Sequence, residues 1–255
     1  MSTNDSIVKF TSADFAALPS RFRARLVNSL SGFKSANLIG TTSPNGILNL
    51  AMVSSVVHLG ASPALVGMVM RPRVNGMAPR DTLVNIENTG VYTINHVSAA
   101  MLPAAHDASA NFSSETCEFE ATGLTPWWPN KEGSNTEGPN KSEFAAPSVA
   151  ESPLQIGLKL VEIVPFKANG TEFVIGEIVW VRFAEHALKG DGYVAIEDLG
   201  SLAISGLDGY HSTSLLDRFS YAEPEQTSTP LPKEGTTGEK VVDIRQFRES
   251  VSNKD

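Results

Sequence analysis

The sequence predicts a mainly β fold flanked by helices, and three observations carry that expectation. Two Asn-Gly pairs, Asn45-Gly46 and Asn169-Gly170, each stand between runs of strand-forming residues. The stretches beside them alternate apolar and polar positions, and the periodicity changes from helix-like to strand-like near Ser35.

Each element follows from its local pattern. Before Ser35, Phe15, Leu18, Phe22, Leu26 and Leu30 recur at helical spacing, Ser12 and Asp14 offer caps, and Pro19 splits the stretch into two helices. Ala36–Thr42, the turn Ser43-Pro44-Asn45-Gly46 and Ile47–Val53 read as a β-hairpin. Further strands are expected at Leu65–Met70, Val91–Asn95, Leu154–Val164 and Phe173–Phe183, with Asn169-Gly170 joining the last two. In Leu154–Val164 the residues Leu154, Ile156, Leu158 and Leu160 alternate, and the phase slips at Val161; one β-bulge accounts for the slip. Trp127–Ser142 is rich in Gly, Asn, Ser and Pro and reads as a long surface loop. Glu223 to Gly235 reads as a linker, and Val241–Val251 as a short helix with Val241, Ile244 and Phe247 on one face.

Composition narrows the function classes. The net charge of −8, with no basic stripe carrying interleaved aromatics, argues against a nucleic-acid partner. No apolar run approaches the ~20 residues of a membrane span, so no membrane association is expected. The polar start Met1–Ser6 has no signal-peptide pattern. The single cysteine, Cys117, excludes an intrachain disulfide. The expected location is cytoplasmic.

Motifs for several chemistries are missing. There is no G-x-S-x-G elbow, and Cys117 lies between Glu115 and Glu118, the wrong charge environment for an activated nucleophile. The five histidines show neither H-x-x-x-H nor H-E-x-x-H spacing, so no metal site is expected. No G-x-G-x-x-G follows a strand.

Two constellations remain. Arg71, Arg73 and Arg80 lie between the strand Leu65–Met70 and a helix start at Asp81-Thr82. Forked guanidinium donors beside the positive end of a helix suit phosphate oxygens. Asp81 or Thr82 capping the helix in a solvated basic loop is the other reading, and spacing leaves both open. Ser54 and Ser55 keep hydroxyls amid apolar neighbours, either bonding nearby backbone or lining a ligand pocket.

Taken in order, several stretches resemble the flavin reductase-like family, from about Ser35 to Tyr210. The resemblance is carried by Asn45-Gly46 with Asn49-Leu50-Ala51 and Ser54, by Ser62-Pro63 entering a strand, and by Arg80-Asp81-Thr82-Leu83. It continues in Glu87-Asn88-Thr89-Gly90, in Glu118-Phe119 running to Gly123-Leu124-Thr125, and in Val149-Ala150-Glu151-Ser152-Pro153. It implies an FMN-binding split barrel, a closed antiparallel barrel with flanking helices, forming a homodimer with FMN at the subunit interface. Residues 1–34 would be a helical segment packing on the barrel, 35–221 the FMN-binding domain, and 222–255 a linker and tail.

Carried onto matching positions, Asn49, Leu50, Ala51, Met52, Val53 and Ser54 would face the flavin ring, chiefly through backbone groups of Leu50 to Val53 and the Ser54 hydroxyl. Arg71, Arg80 and Thr82 would hold the phosphate, with Arg73 and Asn75 in the same loop. Met52 stands where many relatives have proline. The implied activity is an FMN-dependent oxidoreductase passing hydride from NADH or NADPH to flavin and on to a second small-molecule acceptor, free flavin or a partner oxygenase. Hydride transfer needs no protein acid or base, and no catalytic side chain is assigned; His58 and His211 are placed either near the open ring face or in packing roles. The alternatives are an FMN-binding carrier or electron-transfer protein with little reductase activity, and a β-barrel interaction module without cofactor.

Overall fold

The computed structural model describes residues 7–71, 80–129, 144–234 and 242–252. The chain opens with two helices, α1 (Ser12–Ala17) and α2 (Ser20–Leu30). Thr11 and Asp14 close a capping box at α1, and Pro19 stands at the N-cap of α2, so the break falls where proline cannot continue a helix. Arg23 ties the two helices by donating to the carbonyls of Phe15 and Leu18. No residue of either helix is buried in the single chain.

The strands that follow are β1 (Lys34–Ser35), β2 (Asn37–Thr42), β3 (Leu48–Val53), β4 (Val56–Ala61) and β5 (Ala64–Met70). Helix α3 (Asp81–Thr89) leads to β6 (Val91–His96), then to α4 (Leu102–Asp107) and α5 (Glu118–Thr122). Next come β7 (Pro126–Trp127), β8 (Ser148–Val149), the long pair β9 (Leu154–Pro165) and β10 (Glu172–Phe183), then β11 (Ala203–Ser205), β12 (Gly209–His211) and α6 (Ile244–Ser252).

Seven strands form one antiparallel sheet in the order β3-β2-β6-β9-β10-β5-β4. The expected closed barrel is not present: β3 and β4 end the order, and among the described residues no ladder joins them. These edge strands are nevertheless consecutive in the chain, linked by Ser54 and Ser55. A separate three-stranded sheet, β1-β11-β12, and the pair β7-β8 complete the β structure.

Both hairpins form at the Asn-Gly pairs. Ser43 N–H donates to the Ile47 carbonyl and Gly46 adopts φ of +86°, so three residues turn the chain and the last sits where a side chain would be strained. At the second hairpin Gly170 takes φ of +72°, and the Phe166 N–H donates to the Thr171 carbonyl. The expected bulge is real: Ile175 faces Glu162 and Gly176 faces Leu160, leaving Val161 without an opposite residue. A second bulge, on β10 at Val179, has no counterpart in the alternation of its own strand.

Two apolar clusters lie on either side of the sheet. One contains Ile39, Met68, Leu83, Ile86, Tyr92 and Leu158, with α3 supplying Leu83 and Ile86. The other contains Leu38, Leu50, Val97, Met101 and Phe119 and is covered by α4 and α5. Burial of each large side chain contributes on the order of 2 kcal/mol. Close packing leaves no room at Gly40, where a Cβ would meet the Pro147 carbonyl oxygen at 2.1 Å and Thr93 Oγ1 at 2.6 Å. The helix expected at Val241–Val251 is α6, and the preceding Val242 N–H donates to the Gly190 carbonyl; Val241 lies outside the described residues.

Candidate functional site

Helix α3 rests against β2 and β3, which brings the end of the arginine loop beside the ring-facing strand expected from sequence. Its N-cap is Arg80, and no side chain caps it. Neither Asp81 nor Thr82 serves as the cap: both are already inside the helix, Asp81 half-buried in the first turn and Thr82 turning inward to a buried position. The Arg80 carbonyl accepts from the N–H groups of Leu83 and Val84, while those of Asp81 and Thr82 come too early for intrahelical partners. The positive end of α3 therefore carries Arg80 at its cap and Asp81 in its first turn, and among the described residues its first amides have no side-chain cap.

Arg71 leaves the end of β5 toward the same place. Its side chain reaches solvent, yet crowding by the protein and the neighbouring Arg80 guanidinium both hold it below the usual arginine range. Among the described residues no acid forms an ion pair with either guanidinium, and two like charges brought together in this way form an arrangement that an anion would relieve. Arg73 and Asn75 lie outside the described residues, as does the loop from Asn130 to Ser142.

Behind the helix start lies a buried polar network. Thr82 Oγ1 donates to Asn49 Oδ1 at 2.8 Å, Thr41 Oγ1 donates to the same oxygen at 3.0 Å, and Asn85 Nδ2 donates to Thr41 Oγ1 at 3.1 Å. The Asn49 amide nitrogen donates to Glu118 Oε2, and so does the Leu50 backbone N–H. The Asn49 and Thr82 side chains thus bond each other rather than facing outward. Glu118, first residue of α5, is almost fully buried, and burial pushes its carboxyl up to about 7. The Leu50 and Asn49 donors oppose that rise, and the Asp81 carboxylate adds to it.

The edge of β3 is the other half of the site. Asn49, Ala51 and Val53 stand opposite Thr41, Ile39 and Asn37 of β2. Because Leu50 sends its N–H to Glu118 on the far side, the alternation of a strand sends the Met52 N–H and carbonyl outward as well. Glu118 covers the strand edge at Leu50, and beyond it Met52 presents backbone donor and acceptor beside half-buried Ala51, Val53 and Ser54. The next residue, Ser55, uses its carbonyl to accept from Val69 N–H.

The two histidines do not converge here. His58 is exposed on β4, and His211 lies on β12, with Nε2 2.8 Å from Ser205 Oγ and its ring edge-on to Phe33. Among the described residues no group of His, Cys, Asp or Glu could hold a metal ion, and no helix is long and apolar enough to cross a membrane.

Sequence reasoning proposed Asn49 and Thr82 as cofactor residues, and the structure joins them to Glu118, Asn85 and Thr41, to which it gave no such role. The one local signal for Glu118 was its place before Phe119 in a short segment ended by Gly123, which takes φ of +73°. Nothing in that segment says the carboxylate would reach a strand 68 residues earlier.

Comparison with known proteins bears on this geometry. Residues 30–197 match the flavin reductase like domain. A crystal structure of a candidate flavin reductase with a split barrel domain, from Shewanella frigidimarina NCIMB 400, superimposes with a TM-score of 0.75 at 46% identity, covering 84% of this chain and 100% of that one. Nitrilotriacetate monooxygenase component B from Bacillus cereus shares the fold, with a TM-score of 0.68 at 18% identity over 84% of this chain and 99% of its own. A curated protein of uncharacterised function from Halalkalibacterium halodurans is 27% identical over 71% of this chain and 83% of its own length. With its mainly β architecture and a domain match over most of its length, the chain belongs to the flavin reductase-like family.

Proposed function

We propose that this protein is an FMN-dependent oxidoreductase that passes hydride from NADH or NADPH to flavin and delivers the electrons to a second acceptor, free flavin or a partner oxygenase. The observation that carries the reading is the meeting of Arg71 and Arg80 at the uncapped start of α3, beside the outward edge of β3. The residues present fit the cofactor. Arg71, Arg80 and the first amides of α3 suit its phosphate. Thr82 contributes its backbone N–H, since its hydroxyl proton is committed to Asn49.

When bound, the flavin supplies the hydride chemistry itself. The chain's own part is to hold and orient. The Met52 N–H and carbonyl offer a donor and an acceptor to the ring edge, Ala51, Val53 and Ser54 border the same edge, and Leu50 is fixed behind them by Glu118. β3 carries no titratable side chain, which suits a step in which no protein group exchanges a proton.

A homodimer completes the reading. Exposed Val57 and Val69 share one face of β4 and β5, β10 exposes Val179 and Val181, and α2 exposes Phe22, Val27 and Leu30. Apolar surface on this scale marks an interaction site, and pairing of two copies covers it. No helix among the described residues suits a membrane span, and a cytoplasmic location accords with the single free cysteine.

The test is titration of the purified protein with FMN, followed by oxidation of NADH or NADPH in its presence. Tight binding with rapid turnover supports the oxidoreductase. Bound flavin without turnover transfers the assignment to a carrier, and absence of binding removes the flavin site altogether.

A further inference from the structure

We propose that Glu118 is a positioning residue of the flavin site, clamping the edge of β3 to α5 and reaching, through Asn49 and Thr82, the anion-binding start of α3, so that cofactor affinity depends on the charge of this one carboxyl. This rests on the flavin-binding reading above. The geometry is specific. One oxygen, Glu118 Oε2, accepts from both the Asn49 amide and the Leu50 backbone N–H, and the Asn49 carbonyl oxygen accepts from Thr82 in the first turn of α3. The ring edge and the phosphate end of the site are therefore joined through two side chains.

The charges around Glu118 set the sign. β3 contributes none, and α4 carries His106 and Asp107. On its own segment Glu115 precedes it and Glu120 follows, and α3 brings Arg80 and Asp81. Of the acids, Asp81 acts directly on the Glu118 carboxyl, which places Glu118 within electrostatic reach of the start of α3. A phosphate bound there adds negative charge to the same field and favours the protonated carboxyl further. Its ordinary value is already lifted by burial to about 7, so the linkage falls in the neutral range. Protonation need not break the clamp, because a neutral carboxyl with its proton on Oε1 still accepts at Oε2. FMN binding is thus accompanied by proton uptake, and affinity falls as pH rises through neutrality.

The experiment compares FMN dissociation constants of the wild type, Glu118→Gln and Glu118→Ala between pH 6 and 8.5. Glutamine keeps an acceptor oxygen without a titrating charge, so its profile records the ionisation of the FMN phosphate alone. The ratio of wild-type to Glu118→Gln constants is expected to rise from near 1 at pH 6 to on the order of 5 at pH 8.5. Glu118→Ala, which loses the acceptor as well as the charge, is expected to bind about 10-fold more weakly than Glu118→Gln at every pH. A ratio that stays constant with pH overturns the linkage, and an alanine variant that binds like Glu118→Gln overturns the clamp. If none of the three proteins binds FMN, the flavin reading fails instead. Riboflavin provides a control, since without the phosphate the rise in the ratio should shrink; an undiminished rise overturns the coupling to the start of α3.

Discussion

Thr82 Oγ1 donates to Asn49 Oδ1 at 2.8 Å, although 33 residues separate them in the chain. Both are buried, so the bond fixes the first turn of α3 against β3 where water cannot substitute for either partner. The two ends of the candidate cofactor site are held at a set separation by side chains that need not touch the cofactor.

Thr82→Val removes one donor while Thr41 continues to satisfy Asn49 Oδ1. A stability loss of about 1 kcal/mol is expected. Combining it with Thr41→Val leaves that oxygen with neither donor, and the loss should exceed the sum of the single effects by at least ~0.5 kcal/mol. Urea unfolding of the two single variants and the double variant measures this directly; strict additivity would show that the network is not shared.

Arg80→Ala is expected to weaken FMN binding by about 10- to 100-fold, the worth of a charge-assisted bond to phosphate at ~1.5–3 kcal/mol. The helix should survive, because the N-cap role of Arg80 uses its backbone carbonyl. Fluorescence titration gives the affinity, and circular dichroism checks the fold. An unchanged affinity excludes Arg80 from the site.

Buried Glu118 and half-buried His96 give opposite responses of stability to pH. Burial pushes Glu118 from 4.5 up to about 7, so the folded state favours its protonated form; that contribution is complete below 4.5 and lost as pH rises through 7. Glu118→Gln should therefore be more stable than the wild type at pH 8, by of order 1–3 kcal/mol, with the difference vanishing toward pH 4.5. Burial lowers His96 from 6.5 to about 4, so its neutral form contributes stability above 6.5 that disappears as pH falls through 4. His96→Asn should flatten that acid limb. Denaturant midpoints followed across pH separate the two, and parallel curves for variant and wild type would refute either assignment.

At Gly40 a methyl group would collide with the backbone oxygen of Pro147, which has no rotamer through which to escape. Gly40→Ala should lower stability by about 3 kcal/mol or prevent folding. Gly60, whose nearest obstacle is the Pro63 carbonyl oxygen at 3.4 Å, should accept alanine for less than ~1 kcal/mol. Thermal melts of the two variants rank them, and equal losses would contradict the packing at Gly40.

What could be read from sequence was local chemistry. Asn45-Gly46 and Asn169-Gly170 announced their turns because only a few residues tolerate positive φ, and Val161 announced its bulge by breaking an alternation of two. The capping rule failed at α3 because Thr82 is drawn inward to Asn49, a tertiary partner that outweighs a local one. Glu118 was illegible for the same reason on a longer scale. Its donors are 68 and 69 residues away, and no spacing within α5 records them. Six of the seven strands of the main sheet were foreseeable, but β4 and the order of the strands were not, and with them the failure of the outermost two to pair.

The order of the sheet has one more consequence. Laid flat, seven strands would hold β3 and β4 about 29 Å apart, six spacings of ~4.8 Å. The Ser54-Ser55 link spans at most about 11 Å from Val53 to Val56. The sheet is thus a cuff fastened by a covalent clasp, rolled up by the shortness of two residues instead of by a closing seam of hydrogen bonds. A clasp leaves the lip of the cuff ajar, and at Met52 that lip turns a backbone donor and acceptor outward, which is what the proposed flat aromatic guest requires.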